Sequence, residues 1–199
     1  MHTVRTVIYT IVFVILVFFI GSAIYMYSGA YDVSARRPEG QLMRWIVGTT
    51  REHSIETRAR GIVVPSNLDD PDEIMKGFKH YRQMCVGCHR APGLDPSAIS
   101  KGLNPRPPDF SRIHHAIEPA TAFWVVKNGI RMTAMPAWGD SLNDEQLWTL
   151  VAFVKQLHSM TEVQYQALDK QASPEVSGHL NKEEEHGGGA PAAVPRPAN

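Results

Sequence analysis

Two cysteines and one histidine form the most reactive cluster in this sequence. Cys85 and Cys88 are the only cysteines among the 199 residues, and His89 directly follows the second of them. A cysteine pair at this spacing can serve four kinds of chemistry: a disulfide, part of a zinc site, a redox-active dithiol, or the covalent attachment of haem. Each of these predicts a different class of protein.

Covalent haem attachment explains the cluster best. A disulfide across two intervening residues would constrain almost nothing. A thioredoxin-like dithiol is expected within a βαβ unit, and the surrounding sequence has no strand pattern. In a C-x-x-C-H sequence, two thiols about one helical turn apart can add to the vinyl groups of one haem edge, and the adjacent histidine then faces the iron. We therefore predict thioether bonds at Cys85 and Cys88, with His89 as the first axial ligand.

A zinc site is the less favoured interpretation, because zinc needs further ligands at close spacing. The nearest additional candidates, which follow no zinc pattern, are His80, His114 and His115. With only two cysteines, a site closed by four thiolates is excluded, and so is a disulfide-stapled scaffold. A haem-free C-x-x-C redox or metal-binding protein stays open as an alternative.

A methionine in a proline-containing loop is the candidate for the second axial ligand. The loop RMTAMPAWGDSL contains Met135, and Pro136 stiffens the backbone beside it. Met132 is the competing methionine, although a packing role is the ordinary one for any methionine. A histidine at position 114 or 115 is a further alternative. We predict Met135 as the ligand.

Three helices are predicted in the region from 66 to 160, and no strand. Asp70 and Pro71 are typical of a helix start, as are Asn143 and Gln146, which fit a capping box. The helical segments are 68–85, 118–129 and 143–157. The sequence thus predicts an all-α fold.

Two features of this region point to a helix crossing and a large cofactor. Gly77 interrupts good helix formers, which costs roughly 0.5–1 kcal/mol relative to alanine. Close approach of another helix, expected to be 143–157, would explain that glycine. The long stretch 90–117 is rich in proline, glycine and arginine, so the domain lacks apolar mass that a buried cofactor would supply.

The N-terminus contains a predicted transmembrane anchor. Residues 6–27 carry no charge, and about 20 apolar residues suffice to span a bilayer. A signal peptide cleaved near residues 21–23 is the alternative. The flanking charges do not decide the orientation.

The remaining segments are assigned by composition. Residues 1–5 precede the anchor, 28–65 form a linker, 66–160 form the folded domain, and 161–199 are predicted to be a polar, disordered tail. Within the linker a helix is expected, either lying on the membrane surface or solvated. The residues on one face of this helix are Leu42, Trp45, Ile46 and Thr49. The net charge of zero gives no reason to expect nucleic acid as a partner.

Residues 72–157 resemble a class I c-type cytochrome, similar to the haem domains of bacterial haem-copper oxidase subunits. The resemblance rests on Gly77 and Tyr81 before CVGCH, and on GIRMTAMPAWGDSLNDEQLWTLVAFVKQL. It implies a few helices around one covalently bound haem c, with the first and last helices crossing at Gly77. It also implies that a proline carbonyl orients the ring of His89.

The resemblance does not identify every residue around the haem. The proline candidates are Pro92, Pro96 and Pro105. The candidates for contact with the haem propionates or edge, each with ordinary surface or packing roles as alternatives, are Arg106, Arg131 and Trp138.

An iron with both axial positions filled favours one-electron transfer over catalysis, so an enzyme is not expected. Haem attachment of this type takes place outside the bacterial cytoplasm, as the resemblance implies. We therefore predict an inner-membrane protein with residues 1–5 in the cytoplasm, its haem domain in the periplasm and redox proteins as partners. A fixed haem c subunit of a larger complex and a haem-based gas sensor are the alternatives.

Overall fold

The computed structural model describes residues 2–113 and 117–183, and this part of the chain is helical, with no strand. The α-helices are α1 (His2–Tyr27), α2 (Gln41–Ala59), α3 (Pro71–Met84), α4 (Val86–His89), α5 (Ala98–Gly102), α6 (Pro119–Asn128), α7 (Asp144–Leu157) and α8 (Glu162–Glu183). Short 3₁₀ turns cover Phe110–Arg112 and Trp138–Asp140. The prediction of an all-α fold is confirmed.

The chain divides into two compact units, residues 1–41 and 42–199. The first unit contains α1, whose 26 residues include a window with a mean hydropathy of 2.8 and no buried residue. By length and composition, α1 is suited to cross a membrane. The apolar segment predicted at 6–27 lies within it.

The helices of the second unit begin where their sequences indicate. The Asp70 carboxylate accepts a hydrogen bond from the backbone N–H of Asp72 at 2.9 Å, and Pro71 opens α3. At the start of α7, the side chain of Asn143 accepts from the N–H of Gln146 at 2.9 Å, and the Gln146 side chain accepts from the N–H of Asn143 at 3.0 Å. The predicted capping box is confirmed.

Helices α3 and α7 touch backbone to backbone at Gly77. A Cβ atom on this residue would lie 1.9 Å from the Thr149 carbonyl oxygen and 2.9 Å from the Cβ of Phe153. Only glycine allows this distance, so the close helix approach predicted from the sequence is confirmed. Around the contact, the rings of Phe78 and Tyr81 lie 5.4 and 5.1 Å from that of Phe153.

The segment after α7 differs from the predicted disordered tail. It forms α8, whose Tyr165 is only 5% exposed and packs edge-on against Phe78 at 5.4 Å. Arg82 on α3 pairs with Asp169 at 2.9 Å. A short apolar stripe at helical spacing is formed by Tyr165, Leu168 and Ala172. The prediction of a disordered tail was based on overall polarity and did not take this stripe into account. Residues 184–199 lie outside the described residues.

The segment predicted as a linker contains the expected helix, α2. Leu42, Trp45 and Ile46 on its first half are exposed, whereas Ala59 at its end is buried. Most of α2 belongs to the second unit. Residues 28–40 therefore form the connector between α1 and α2.

We expect Gly77→Ala to lower the free energy of unfolding by at least about 2 kcal/mol, because the added methyl group would overlap the Thr149 carbonyl. The matched control is Gly48→Ala on α2, where nothing lies within 4 Å of the added Cβ. That variant should be up to about 1 kcal/mol more stable. Thermal unfolding of both proteins in detergent is the measurement. Equal melting temperatures would contradict the proposed role of the crossing.

Candidate functional site

A cavity of about 300 Å³ lies within the second unit, walled by residues of α3, α4, α6 and α7 and the loops beside them. Cys85, Cys88, His89 and Met135 all line it. The structure thus brings together four predicted site residues that two separate segments contribute. Most of the remaining lining is apolar, including Leu103, Ile117, Val125, Val126, Leu150 and Val154.

The helical turn α4 presents the cysteine motif to the cavity. Cys85 ends α3 and begins α4, and its carbonyl accepts hydrogen bonds from the N–H groups of Cys88 at 3.1 Å and His89 at 2.9 Å. One turn therefore separates the two thiols, as attachment to one haem edge requires. No disulfide joins the two cysteines.

The environment of Cys85 does not suit a redox dithiol. Burial, with a smaller contribution from Cys88, raises the pKa of the Cys85 thiol to about 12. Reactive dithiols instead depend on a thiol whose pKa is lowered. Within residues 2–113 and 117–183, no three histidine, cysteine or acidic side chains are grouped to bind a metal ion. Of the extra zinc candidates, His80 does not line the cavity, and the pair at 114–115 lies outside the described residues.

The ring of His89 is fixed by two contacts. Its Nδ1–H donates to the carbonyl oxygen of Pro108 at 3.0 Å, and the ring stacks on Phe110 with centroids 4.7 Å apart and an interplanar angle of 12°. Because the carbonyl occupies Nδ1, Nε2 is the nitrogen left to bind a metal. Burial lowers the pKa of His89, which favours the neutral, ligating form, and the Pro108 contact partly opposes this shift.

The proline that orients His89 is Pro108, so the three candidates considered from the sequence were wrong in this role. Pro105 lines the cavity without making this bond. Pro92 and Pro96 do not line the cavity. The chain leaves α4, turns away, and returns 19 residues later to place the Pro108 carbonyl. A loop path of this length leaves no local signal in the sequence.

A partly buried ion pair holds the returning loop in place. Arg90 donates to Asp109, next to Pro108, with 2.6 Å between Nη1 and Oδ2. The same guanidinium donates to the Leu94 carbonyl through Nη2 at 2.9 Å, and Tyr81 Oη donates to the Arg90 carbonyl at 2.6 Å. Arg90 and Asp109 are not among the residues predicted from the sequence. The position of Arg90 directly after the motif was the one available signal.

The loop that carries Met135 is folded tightly on itself. The Met135 N–H donates to Thr133 Oγ1 at 3.1 Å, and the Met135 carbonyl accepts from the Ile130 N–H at 3.2 Å. Gly129 has φ +65°, and a Cβ there would lie 2.8 Å from the Met135 carbonyl oxygen. Met132 is 85% exposed and does not line the cavity.

Only some of the other side chains predicted to contact the cofactor line the cavity. Arg106 and Trp138 line the cavity, whereas Arg131 is exposed and does not. Arg51 on α2 also lines the cavity. Arg51 is not among the predicted site residues, because it lies in the segment assigned to the linker.

The comparison with known families agrees with this geometry. Residues 72–154 match the family model described as cytochrome C oxidase, cbb3-type, subunit III. No curated protein matches the chain. Residues 72–154 are a class I c-type cytochrome domain like those of haem-copper oxidase subunits. The protein is therefore an electron-transfer haem c protein.

The cavity fits its cofactor, haem c. An apolar macrocycle matches the apolar walls, and the thiols of Cys85 and Cys88 face the same space. Arg51 and Arg106 add positive charge to this lining, which suits an anionic cofactor. When bound, haem supplies the one-electron Fe(III)/Fe(II) couple.

We expect Gly129→Ala to lower the free energy of unfolding by about 2 kcal/mol or more and to displace the Met135 loop. The new side chain would have to adopt a left-handed backbone conformation, which costs about 1–2 kcal/mol, and would also meet the backbone of Met135 and Pro136. Urea unfolding gives the energy. Gly102→Ala, which adds a Cβ to open space at the end of α5, is the control. If the two variants unfold at the same urea concentration, the tight loop contact is not required.

Proposed function

We propose that this chain is a membrane-anchored monohaem c-type cytochrome that carries single electrons between redox partners at the periplasmic face of the membrane. One observation supports it above all: Cys85, Cys88, His89 and Met135, from two separate segments, line one apolar cavity. In this proposal Cys85 and Cys88 hold the haem through thioethers. His89 Nε2 and the Met135 sulfur bind the iron.

Electron transfer follows from the two axial ligands. With both positions held, the iron has no open site for a substrate, and a thioether ligand raises the reduction potential relative to two histidines. Apolar walls disfavour the additional charge of the ferric state and act in the same direction. The exposure of Met132 supports Met135 as the ligand. The histidines at 114 and 115 lie outside the described residues.

The anchor determines where electrons are exchanged. We propose that α1 spans the inner membrane with residues 1–5 in the cytoplasm and the haem domain in the periplasm, where haem attachment of this type occurs. The connector 28–40 reaches at most about 45 Å when fully extended. A tether of this length keeps the domain near membrane-bound partners at high effective concentration.

A second candidate is a fixed subunit of a larger respiratory complex. The matching family is described as a subunit of a cbb3-type oxidase. The exposed apolar face of α2, with Leu42, Trp45 and Ile46, offers a surface for a neighbouring subunit. Polypeptides that copurify at fixed stoichiometry in mild detergent would favour this candidate over a free carrier.

One fractionation experiment tests haem attachment, anchoring and location together. The chain is expressed with a c-type haem maturation system, and membranes are washed with alkaline carbonate before a denaturing gel is stained for haem peroxidase activity. We expect a haem-stained band near 22.2 kDa in the pellet, and its loss when intact spheroplasts are treated with protease.

The control is the double variant Cys85→Ala with Cys88→Ala, which should stay in the pellet without haem stain. A wild-type chain in the pellet without covalent haem would refute the cofactor assignment. A stained chain free in the periplasm would instead support cleavage near residues 21–23.

A further inference from the structure

Helix α2 contributes to the cavity wall although it precedes the matched cytochrome segment, residues 72–154. Its contribution is the side chain of Arg51. A segment that only tethered the domain would have no reason to place a cation at the cofactor site.

The end of α2 is fixed to the domain. Ala59 is buried, and Ile62 just beyond the helix packs on the cluster that contains Leu68, Leu147 and Val151. Asp69 then pairs with Lys155 on α7 at 2.9 Å. The first half of α2 is exposed, so Arg51 marks the boundary between the anchored and the unsupported parts of the helix.

The charges on the cavity wall are unbalanced. Among the described lining residues, Arg51 and Arg106 are cationic and no carboxylate is present. Arg51 pairs with Glu52, at a long distance of 3.7 Å, and its side chain is 39% exposed. Its guanidinium therefore retains donors for a second anion, and a planar carboxylate suits it.

We propose that Arg51 binds a haem propionate, so that α2 becomes a closing wall of the haem site rather than part of a free linker. This inference depends on the proposed function, since it requires the haem. The same contact would hold the middle of α2 against the domain.

The contact has an electrostatic consequence. A cation beside the haem disfavours the additional positive charge of the ferric state, so its removal should lower the midpoint potential. The effect should follow side-chain charge at position 51, with Lys nearest to wild type, Gln lower and Glu lowest. Solvent screening limits its size because Arg51 is partly exposed.

The test uses the full-length haem protein in detergent, with Arg51→Gln, Arg51→Lys and Arg51→Glu. The control is Arg44→Gln, which removes the same side chain from the exposed surface of the same helix two turns earlier. Covalent haem is verified first in every protein, and its absence would count against the proposed function and not against this contact. Potentiometric titration then gives the midpoint potential, and hydrogen exchange reports on the amides of residues 41–59.

We expect Arg51→Gln to lower the midpoint potential. We also expect it to raise the rate of amide hydrogen exchange in α2 roughly fivefold, which corresponds to a loss of about 1 kcal/mol in the local stability of the helix. Arg44→Gln should match the wild type in both measurements. The inference is overturned if Arg51→Gln and Arg44→Gln have the same potential and the same exchange as wild type.

Discussion

The backbone contact between α3 and α7 at Gly77 is the constraint on which the rest of the haem domain depends. Helix α3 continues through Cys85 into the turn that presents the two thiols and His89. Helix α7 begins directly after the loop that carries Met135. The two segments of the cavity wall that carry the candidate ligands are therefore attached to the same crossing, and a change in helix spacing would alter the distance between these ligands.

Polar interactions stabilise the loop on each side of the cavity. On the histidine side, the pair of Arg90 and Asp109 fixes the loop whose Pro108 carbonyl orients the ring. On the methionine side, a hydrogen bond from the Met135 N–H to Thr133 stabilises the loop, and the Met135 backbone packs closely against Gly129. The space between the walls is left apolar, so a buried haem completes the core that a small helical domain of this kind lacks.

Local signals made much of this arrangement predictable. The motif around Cys85, the capping residues and Gly77 depend on neighbouring residues or on one simple steric rule. The structure confirms the caps and the close approach at Gly77, and it places the motif on the cavity wall. The roles of Pro108, Arg51 and Tyr165 were not predictable, because each depends on the path of a loop or on a helix that docks from outside the motif-bearing segment. Composition alone also misjudged α8, where a stripe of three apolar residues is diluted by polar neighbours.

The central claim is that the iron is saturated by His89 and Met135, and carbon monoxide binding to the reduced protein tests it most directly. We predict that wild type reacts little with carbon monoxide and that its ferric form has the weak far-red band of sulfur–iron ligation. Met135→Ala should bind carbon monoxide readily, lose the band and have a lower midpoint potential, whereas Met132→Ala should resemble wild type. Ready carbon monoxide binding by the wild type, or a larger effect of Met132→Ala, would contradict the account.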